Sequence, residues 1–213
     1  MKIAPSLLAA DFLNLQTEID KVSSADFLHL DIMDGTFVPN ISYGFSVIES
    51  LCRINTPELD AHLMVVNPQK WFDRLSALGV KMISFHYEAA GENTDQYIDI
   101  LHSLGCKAGV AINPDIPVEV LYPYIGKADF FLIMSVFAGF GGQSFIPDSL
   151  NRISALSSKI IQSGSNTLVE VDGGVGLSNI SALKKCGADI AVAGSAVFKS
   201  DNPEVAISSL RKA

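Results

Sequence analysis

Four side chains from three separate segments of the sequence could together bind a divalent metal ion. They are His29 and Asp31, His62, and Asp172. Imidazole nitrogens and carboxylate oxygens suit Zn²⁺, Fe²⁺, Mn²⁺ or Co²⁺, and four such ligands can leave coordination positions open for a substrate. The sequence therefore predicts one bound divalent metal ion, and the ligand types do not choose among these elements.

The spacing of His29 and Asp31 places both on one face of a β-strand, because alternate side chains of a strand point the same way. A single histidine at a strand end is more often packed or solvated, and Asp172-Gly173 alone is typical of a turn. The joint pattern favours a functional site, because buried carboxylates are costly unless they are paired or metal-bound.

Glycine-rich segments in the second half of the sequence predict a phosphate-binding site. Backbone N–H groups that no side chain covers can approach a phosphate closely. None of these segments contains Lys or Arg, so backbone donors would carry most of the binding. The stretch 137–145 is also a candidate lid, because its glycines permit hinge motion. The segments are Gly139, Phe140, Gly141 and Gly142; Gly173 and Gly174; and Gly194 with Ser195.

Three methionines, Met33, Met64 and Met134, lie at or just beyond the ends of apolar runs. Methionine usually fills a hydrophobic core. At these positions the three side chains could instead form an apolar, polarisable wall beside the polar residues.

The elements that must position these residues alternate along the whole chain. Short apolar runs are followed by longer amphipathic segments, which favours strands joined by helices in a parallel sheet. The runs are approximately 2–6, 26–31, 58–64, 81–86, 106–112, 129–135, 167–172 and 189–194, and the helical segments are near 11–23, 44–53, 68–78, 93–104, 117–124, 148–163, 178–186 and 203–212.

Eight such units predict an α/β fold, a single (β/α)8 TIM barrel that occupies residues 1–213 as one domain. The same local pattern fits an open doubly wound sheet, but eight repeats without a linker favour closure. In a barrel, the carboxyl ends of all strands meet at one mouth, where barrel enzymes have their active sites. Ser6, His29, Asp31, His62 and Asp172 would therefore converge.

The composition excludes several classes of protein. Hydrophobic residues make up 48% of the 213 residues, which is incompatible with a disordered chain. The net charge of −8 argues against a general nucleic-acid binder. Three cysteines without close spacing argue against a disulfide framework. We expect a cytoplasmic protein without a signal peptide, a membrane segment or a nucleic-acid partner.

Long motifs across nearly the whole chain resemble the ribulose-phosphate 3-epimerase family. They include residues 4–11 (APSLLAAD), 29–35 (HLDIMDG), 37–40 (FVPN), 60–65 (DAHLMV), 86–89 (HYEA), 134–136 (MSV), 139–143 (GFGGQ), 170–175 (EVDGGV) and 192–198 (VAGSAVF).

The resemblance implies a barrel of the ribulose-phosphate-binding type, with His29, Asp31, His62 and Asp172 as metal ligands. It implies that Asp31 accepts a proton and Asp172 donates one. Ser6, His62, Asp172 and the three glycine segments match substrate-binding positions, and the three methionines match a sulfur wall. It also implies a homo-oligomer that acts in carbohydrate metabolism, in the pentose phosphate pathway.

Two positions depart from the family pattern. Most relatives have a polar or acidic residue and then proline before Gly139, where this chain has Phe137-Ala138. Tyr43-Gly44-Phe45 also lacks the proline that often follows that glycine. The ligand set is unaffected, so we expect the chemistry to be preserved, whereas substrate range and loop closure stay open.

The predicted reaction is metal-dependent interconversion of D-ribulose 5-phosphate and D-xylulose 5-phosphate, by two-base proton transfer at C3 through an enediolate. A ketose phosphate would be the small-molecule partner. One alternative is a 3-epimerase of a hexulose 6-phosphate such as D-allulose 6-phosphate. A decarboxylase-like lyase or synthase is disfavoured, because its Asp-x-Lys-x-x-Asp pattern has no counterpart after Asp31. A non-catalytic sugar-phosphate-binding barrel is the remaining alternative.

Overall fold

The computed structural model describes all residues from 1 to 213, and its centre is a sheet of eight parallel β-strands. The strands are β1 (Lys2–Pro5), β2 (Phe27–Met33), β3 (Glu58–Met64), β4 (Met82–His86), β5 (Lys107–Ile112), β6 (Phe130–Met134), β7 (Leu168–Asp172) and β8 (Ile190–Ala193). Their order along the hydrogen bonds is β1-β8-β7-β6-β5-β4-β3-β2.

The two ends of this order also meet. Ser6, directly after β1, forms a parallel bridge with His29 of β2. The sheet is therefore a nearly closed (β/α)8 barrel, which confirms the predicted fold, and the open doubly wound alternative is wrong.

The strands are apolar because both of their faces are covered, as is usual for parallel sheets. All seven residues of β2 and all five residues of β4 and of β6 are buried. Inside the barrel, the ring of Phe130 lies against Gly109, where an added Cβ would come within 2.3 Å of a ring carbon. Phe130 belongs to a small apolar cluster with Ala4, Phe27, Met82, Ile190 and Val192.

Helices form the outer layer. They are α1 (Leu15–Asp20), α2 (Phe45–Leu51), α3 (Gln69–Ala77), α4 (Tyr87–Ala90), α5 (Thr94–Ser103), α6 (Ser149–Ser163), α7 (Ile180–Lys185), α8 (Ser195–Phe198) and α9 (Pro203–Lys212). No helix of the structure has both the length and the apolar character needed to cross a bilayer.

The structure corrects the predicted helices in three respects. The segment predicted at 117–124 is a 3-10 helix, Val118–Tyr124, with Pro123 inside it. Proline lacks the N–H that a continuous α-helix requires. The segment predicted at 11–23 begins as a separate 3-10 turn, Phe12–Asn14, and is α-helical only in α1. The short helices α4 and α8 were not predicted, because each has only four residues.

Candidate active site and metal centre

The barrel mouth brings together the four residues predicted as metal ligands. One side-chain atom from each of His29, Asp31, His62 and Asp172 lies within 4.8 Å of the corresponding atoms of the others. Asp31 Oδ1 is 3.7 Å from His29 Nε2 and 3.6 Å from His62 Nδ1. His62 Nδ1 is 4.0 Å from Asp172 Oδ2, on a strand across the barrel. The four donors therefore surround one small space.

The imidazole rings are oriented as metal-binding histidines are. His29 Nε2 and His62 Nδ1 face this space, are buried and have no hydrogen-bond partner. The other nitrogen of each ring is engaged, His29 Nδ1 with Asp60 Oδ2 at 2.6 Å and His62 Nε2 with His86 Nε2 at 2.9 Å. Buried polar atoms without partners are rare, and a bound cation would satisfy both nitrogens. The residues present fit a divalent metal ion.

Two carboxyl groups behind His29 were not predicted. Asp60 of β3 and Glu170 of β7 are fully buried, and Glu170 Oε1 lies 3.9 Å from His29 Nδ1. Each of them precedes a predicted ligand by two residues, so its side chain also points into the barrel. This alternation could have predicted both residues, but the two runs are otherwise apolar, which is typical of core strands.

The two candidate catalytic carboxyl groups have opposite pKa shifts. Burial raises the pKa of Asp31, but the imidazoles of His29 and His62 and the hydroxyl of Ser6 outweigh burial and lower it. Ser6 Oγ donates to Asp31 Oδ2 at 2.5 Å. Burial and the negative charge of Asp31 raise the pKa of Asp172 to about 7. One carboxyl group is therefore ionised at neutral pH, while the other retains a proton much of the time.

The two imidazoles also differ. Burial lowers the pKa of His62 to about 4, so its ring is neutral at pH 7 and has a free lone pair. Burial acts in the same direction on His29, but the charges of Asp60 and Asp31 outweigh it and raise the pKa of His29 well above its usual range. A cation at this site would displace the proton that His29 holds without metal.

A cavity of about 230 Å³ opens above the cluster. That is slightly below the range of about 300–1,000 Å³ typical for drug-sized ligands, which suits a smaller molecule. Ser6, Asp31 and Asp172 line it, whereas His29 and His62 lie deeper. The remaining predicted residues that line it are Met33, Met64, Met134, Gly139, Phe140, Gly141, Gly142, Gly173, Gly174, Gly194 and Ser195.

Glycine is required at two of these positions. Gly173 has a φ of 118°, and an added Cβ would lie 2.5 Å from Val136. Gly174 has a φ of 62°, and its Cβ would lie 2.5 Å from the backbone nitrogen of Phe145. Residues other than glycine rarely adopt such φ values, and at these two positions there is also no room for a side chain. The loop after β7 therefore packs directly against the backbone of residues 136–145.

The candidate lid, residues 137–145, is held in place by side chains in this structure. Gln143 Nε2 donates to the carbonyl oxygens of Phe137 and Phe140 at 2.7 and 2.8 Å. The side chains of Phe137 and Phe140 are about half exposed. The bulk of Phe137 therefore points largely away from the packed interior, at the rim of the cavity.

Fold and site together define the molecule as a (β/α)8-barrel enzyme with paired carboxylates and imidazoles below glycine-rich loops. The chain belongs to the ribulose-phosphate 3 epimerase family, whose sequence model matches residues 2–198. It is therefore a carbohydrate epimerase, an enzyme of the isomerase class.

Individual relatives agree with this assignment. The ribulose-phosphate 3-epimerase of Schizosaccharomyces pombe is 43% identical over 99% of this chain and 92% of its own. The cytoplasmic isoform of Oryza sativa is 40% identical over 99% of this chain and 93% of its own. The crystal structure of KGPDC from Streptococcus mutans is similar, with a TM-score of 0.75 over 99% of this chain and 95% of that one. At 11% identity, that likeness concerns the fold alone.

Proposed function

We propose that this chain interconverts D-ribulose 5-phosphate and D-xylulose 5-phosphate by inverting the configuration at C3, with one divalent cation (Zn²⁺, Fe²⁺, Mn²⁺ or Co²⁺) per subunit. The observation that carries the proposal is the cluster at the barrel mouth. There, two carboxyl groups with opposite pKa shifts adjoin two buried imidazole nitrogens that lack partners. Pairs of titratable groups with divergent pKa values are typical of acid–base catalysis.

The two carboxyl groups have different roles in this reaction. Asp31 is ionised and accepts the C3 proton of D-ribulose 5-phosphate, which leaves an enediolate. Asp172 then donates a proton to C3 from the opposite face, because inversion requires an acid and a base on opposite sides of the carbon. The hydroxyl of Ser6 donates to Asp31 Oδ2 and fixes the orientation of that carboxylate.

The cation would be held by His29 Nε2, Asp31, His62 Nδ1 and Asp172. When bound, it supplies Lewis-acid stabilisation of the negative charge that develops on the substrate oxygens. This contribution is needed, because a carboxylate is a weak base at pH 7.

The phosphate group would bind at the glycine loops after β6, β7 and β8. These loops line the same cavity as the carboxyl groups. The loops that follow the last two strands are a recurrent phosphate site in barrels. Met33, Met64 and Met134 are buried beside the cavity and would cover the apolar side of the sugar without competing for its protons.

The pH dependence of metal binding should report the protons that the cluster releases. The charges of Asp60 and Asp31 outweigh burial and raise the pKa of His29 well above its usual range, so its ring holds a proton near neutral pH. A histidine must lose such a proton to bind a cation. We expect the Kd for Mn²⁺ to fall by about tenfold as the pH rises from 6 to 7, because one proton is released. Chelator competition measures this, and a pH-independent Kd would contradict it.

The same proposal covers partners and location. A ketose phosphate is the small-molecule partner, and a nucleic-acid partner is not expected for a chain with a net charge of −8. Cytoplasmic location is supported by the rice relative, which is a cytoplasmic isoform. A homo-oligomer is supported by large apolar side chains exposed in the loops after β1 and β2, namely Phe12, Leu13 and Ile41.

Proton NMR in D2O tests the choice of substrate. We expect deuterium at C3 and epimerisation with D-ribulose 5-phosphate. We expect a kcat/KM for D-allulose 6-phosphate that is at least about tenfold lower, because an added carbon alters the fit of a small pocket. Faster turnover of the hexulose would assign the chain to the alternative reaction. Binding of both sugars without any deuterium incorporation would indicate a sugar-phosphate-binding protein.

A further inference from the structure

We propose that Glu88 and Asn113 are positioning residues that couple the metal-binding ring of His62 to the loop after β6, so that cation binding and loop order support each other. This inference rests on the proposed role of His62 as a metal ligand. Neither residue lines the cavity, so they would act through His62 and through the loop.

A continuous series of hydrogen bonds joins the two ends. His62 Nε2 lies 2.9 Å from His86 Nε2, and His86 Nδ1 lies 3.4 Å from Glu88 Oε1. Glu88 Oε1 accepts from both the backbone N–H and the side-chain Nδ2 of Asn113, each at 2.9 Å. Asn113 Oδ1 accepts from the backbone N–H of Ala138 at 3.0 Å. Every link from the mouth to the loop is thus a direct contact.

Cation binding at His62 would fix which atom donates and which accepts in the hydrogen bonds from His62 to Glu88. If Nδ1 of His62 binds the ion, its Nε2 must carry the proton and donate to His86 Nε2. His86 then carries its own proton on Nδ1 and donates to the carboxylate of Glu88. Carboxylates that orient a metal-binding histidine raise its basicity and fix its tautomer. Glu88 would do so through one intervening ring.

Asn113 is itself fixed firmly enough to transmit an effect. Arg152 of α6 donates to the carbonyl oxygens of Asn113 and Ile116 at 2.8 and 2.9 Å, and to that of Met134 at 3.1 Å. One guanidinium group therefore joins the carboxyl ends of β5 and β6. Displacement of the Asn113 side-chain amide would break its hydrogen bonds to Glu88 and Ala138. The backbone of Asn113 would stay in place, because Arg152 holds its carbonyl oxygen.

The link to the loop depends on the residue at position 138 of this chain. Proline, which the family pattern favours there, has no N–H to donate, whereas Ala138 donates to Asn113. A second anchor, from Asn40 Nδ2 to the carbonyl oxygen of Gly139 at 2.8 Å, holds the same loop from the other side. Asn40 forms no hydrogen bond with His62, His86, Glu88 or Asn113, so it provides a matched control.

The test measures Mn²⁺ affinity by chelator competition and hydrogen exchange of a peptide spanning residues 136–145, each with and without Mn²⁺. In the wild type, Mn²⁺ should slow exchange of this peptide. In Asn113→Ala this slowing should disappear and the Kd for Mn²⁺ should rise about tenfold, within the usual range of coupling effects. Asn40→Ala should speed exchange but keep both the slowing by Mn²⁺ and the wild-type Kd.

Coupling is reciprocal, which makes the test quantitative. The factor by which Mn²⁺ slows loop opening in the wild type should match the factor by which Asn113→Ala weakens Mn²⁺ binding, to within about threefold. Glu88→Gln keeps the shape of the side chain and removes its charge. We expect it to weaken Mn²⁺ binding by about tenfold, which provides a test even if Asn113→Ala does not fold.

The outcomes separate the two proposals. No binding of Mn²⁺, Zn²⁺, Co²⁺ or Fe²⁺ by the wild type would refute the proposed metal site itself. Wild-type binding of Mn²⁺ together with undiminished slowing in Asn113→Ala would overturn the coupling alone. An unchanged Kd in Glu88→Gln would show that Glu88 does not act on His62.

Discussion

Asp172→Asn is expected to exchange the C3 proton of D-ribulose 5-phosphate with solvent without forming D-xylulose 5-phosphate. Asp31 can still remove the proton and return deuterium to the same face, but nothing delivers one to the other face. Asp31→Asn is expected to show the reverse, with exchange only when D-xylulose 5-phosphate is supplied. In both variants net epimerisation should fall by about 10²- to 10⁴-fold, which is the usual contribution of one acid–base group.

The measurement is NMR in D2O, started separately from each sugar phosphate at saturating Mn²⁺. Asn can replace Asp as a weaker ligand, so the metal content of each variant must be measured alongside. Asp34→Asn is a suitable control, because Asp34 is also a carboxylate at the end of β2, but it accepts from the backbone N–H groups of Phe37 and Val66. It should still exchange and epimerise both sugars, at a rate lowered only by the loss of one acceptor for these N–H groups. Exchange of both sugars by both variants would refute the two-base assignment.

This crossed pattern is expected because the surroundings of the two carboxyl groups differ. Asp31 lies beside two imidazoles and accepts from the hydroxyl of Ser6, all of which favour its ionised form. Burial and the charge of Asp31 act on Asp172 with less compensation, which raises its pKa and favours its protonated form. The asymmetry is present before substrate binds, and it supports the proposed roles of Asp31 as base and Asp172 as acid.

The sequence predicted the barrel and the residues at its mouth because both follow from local regularities. Apolar runs that end in polar residues indicate strands whose carboxyl ends meet, and the structure brings the four proposed metal ligands within 4.8 Å of one another at that place. The same regularity failed for the segment 117–124, where an amphipathic pattern with an internal proline forms a 3-10 helix.

Other parts of the site could not be predicted from local pattern. Asp60 and Glu170 were hidden in runs that are otherwise apolar, and only strand alternation places them behind His29. The contacts of Asn113 depend on how far side chains reach between elements, since Glu88 and Ala138 are each 25 residues away in sequence. No periodicity encodes such a contact, so the proposed coupling emerges only from the folded arrangement.

Removal of the metal ion is expected both to abolish activity and to destabilise the fold. Activity should fall at least about 10³-fold, because Lewis-acid stabilisation is worth several kcal/mol and about 1.4 kcal/mol corresponds to a tenfold rate change. An ion that binds only the folded state also stabilises it by about 4 kcal/mol at 1,000 times its Kd. Chelator should therefore lower the Tm as well as the rate.

The stability effect has a local cause that a single variant can isolate. Without a cation, His29 Nε2 and His62 Nδ1 are buried without partners, and each such atom costs about 1–3 kcal/mol. In His62→Ala, one of these atoms and one ligand are removed, so added Mn²⁺ should raise the Tm much less than in the wild type. Calorimetry of both proteins with chelator and with Mn²⁺ measures the difference. A Tm of the wild type that does not respond to Mn²⁺, Zn²⁺, Co²⁺ or Fe²⁺ would mean that the cluster holds protons instead of a cation.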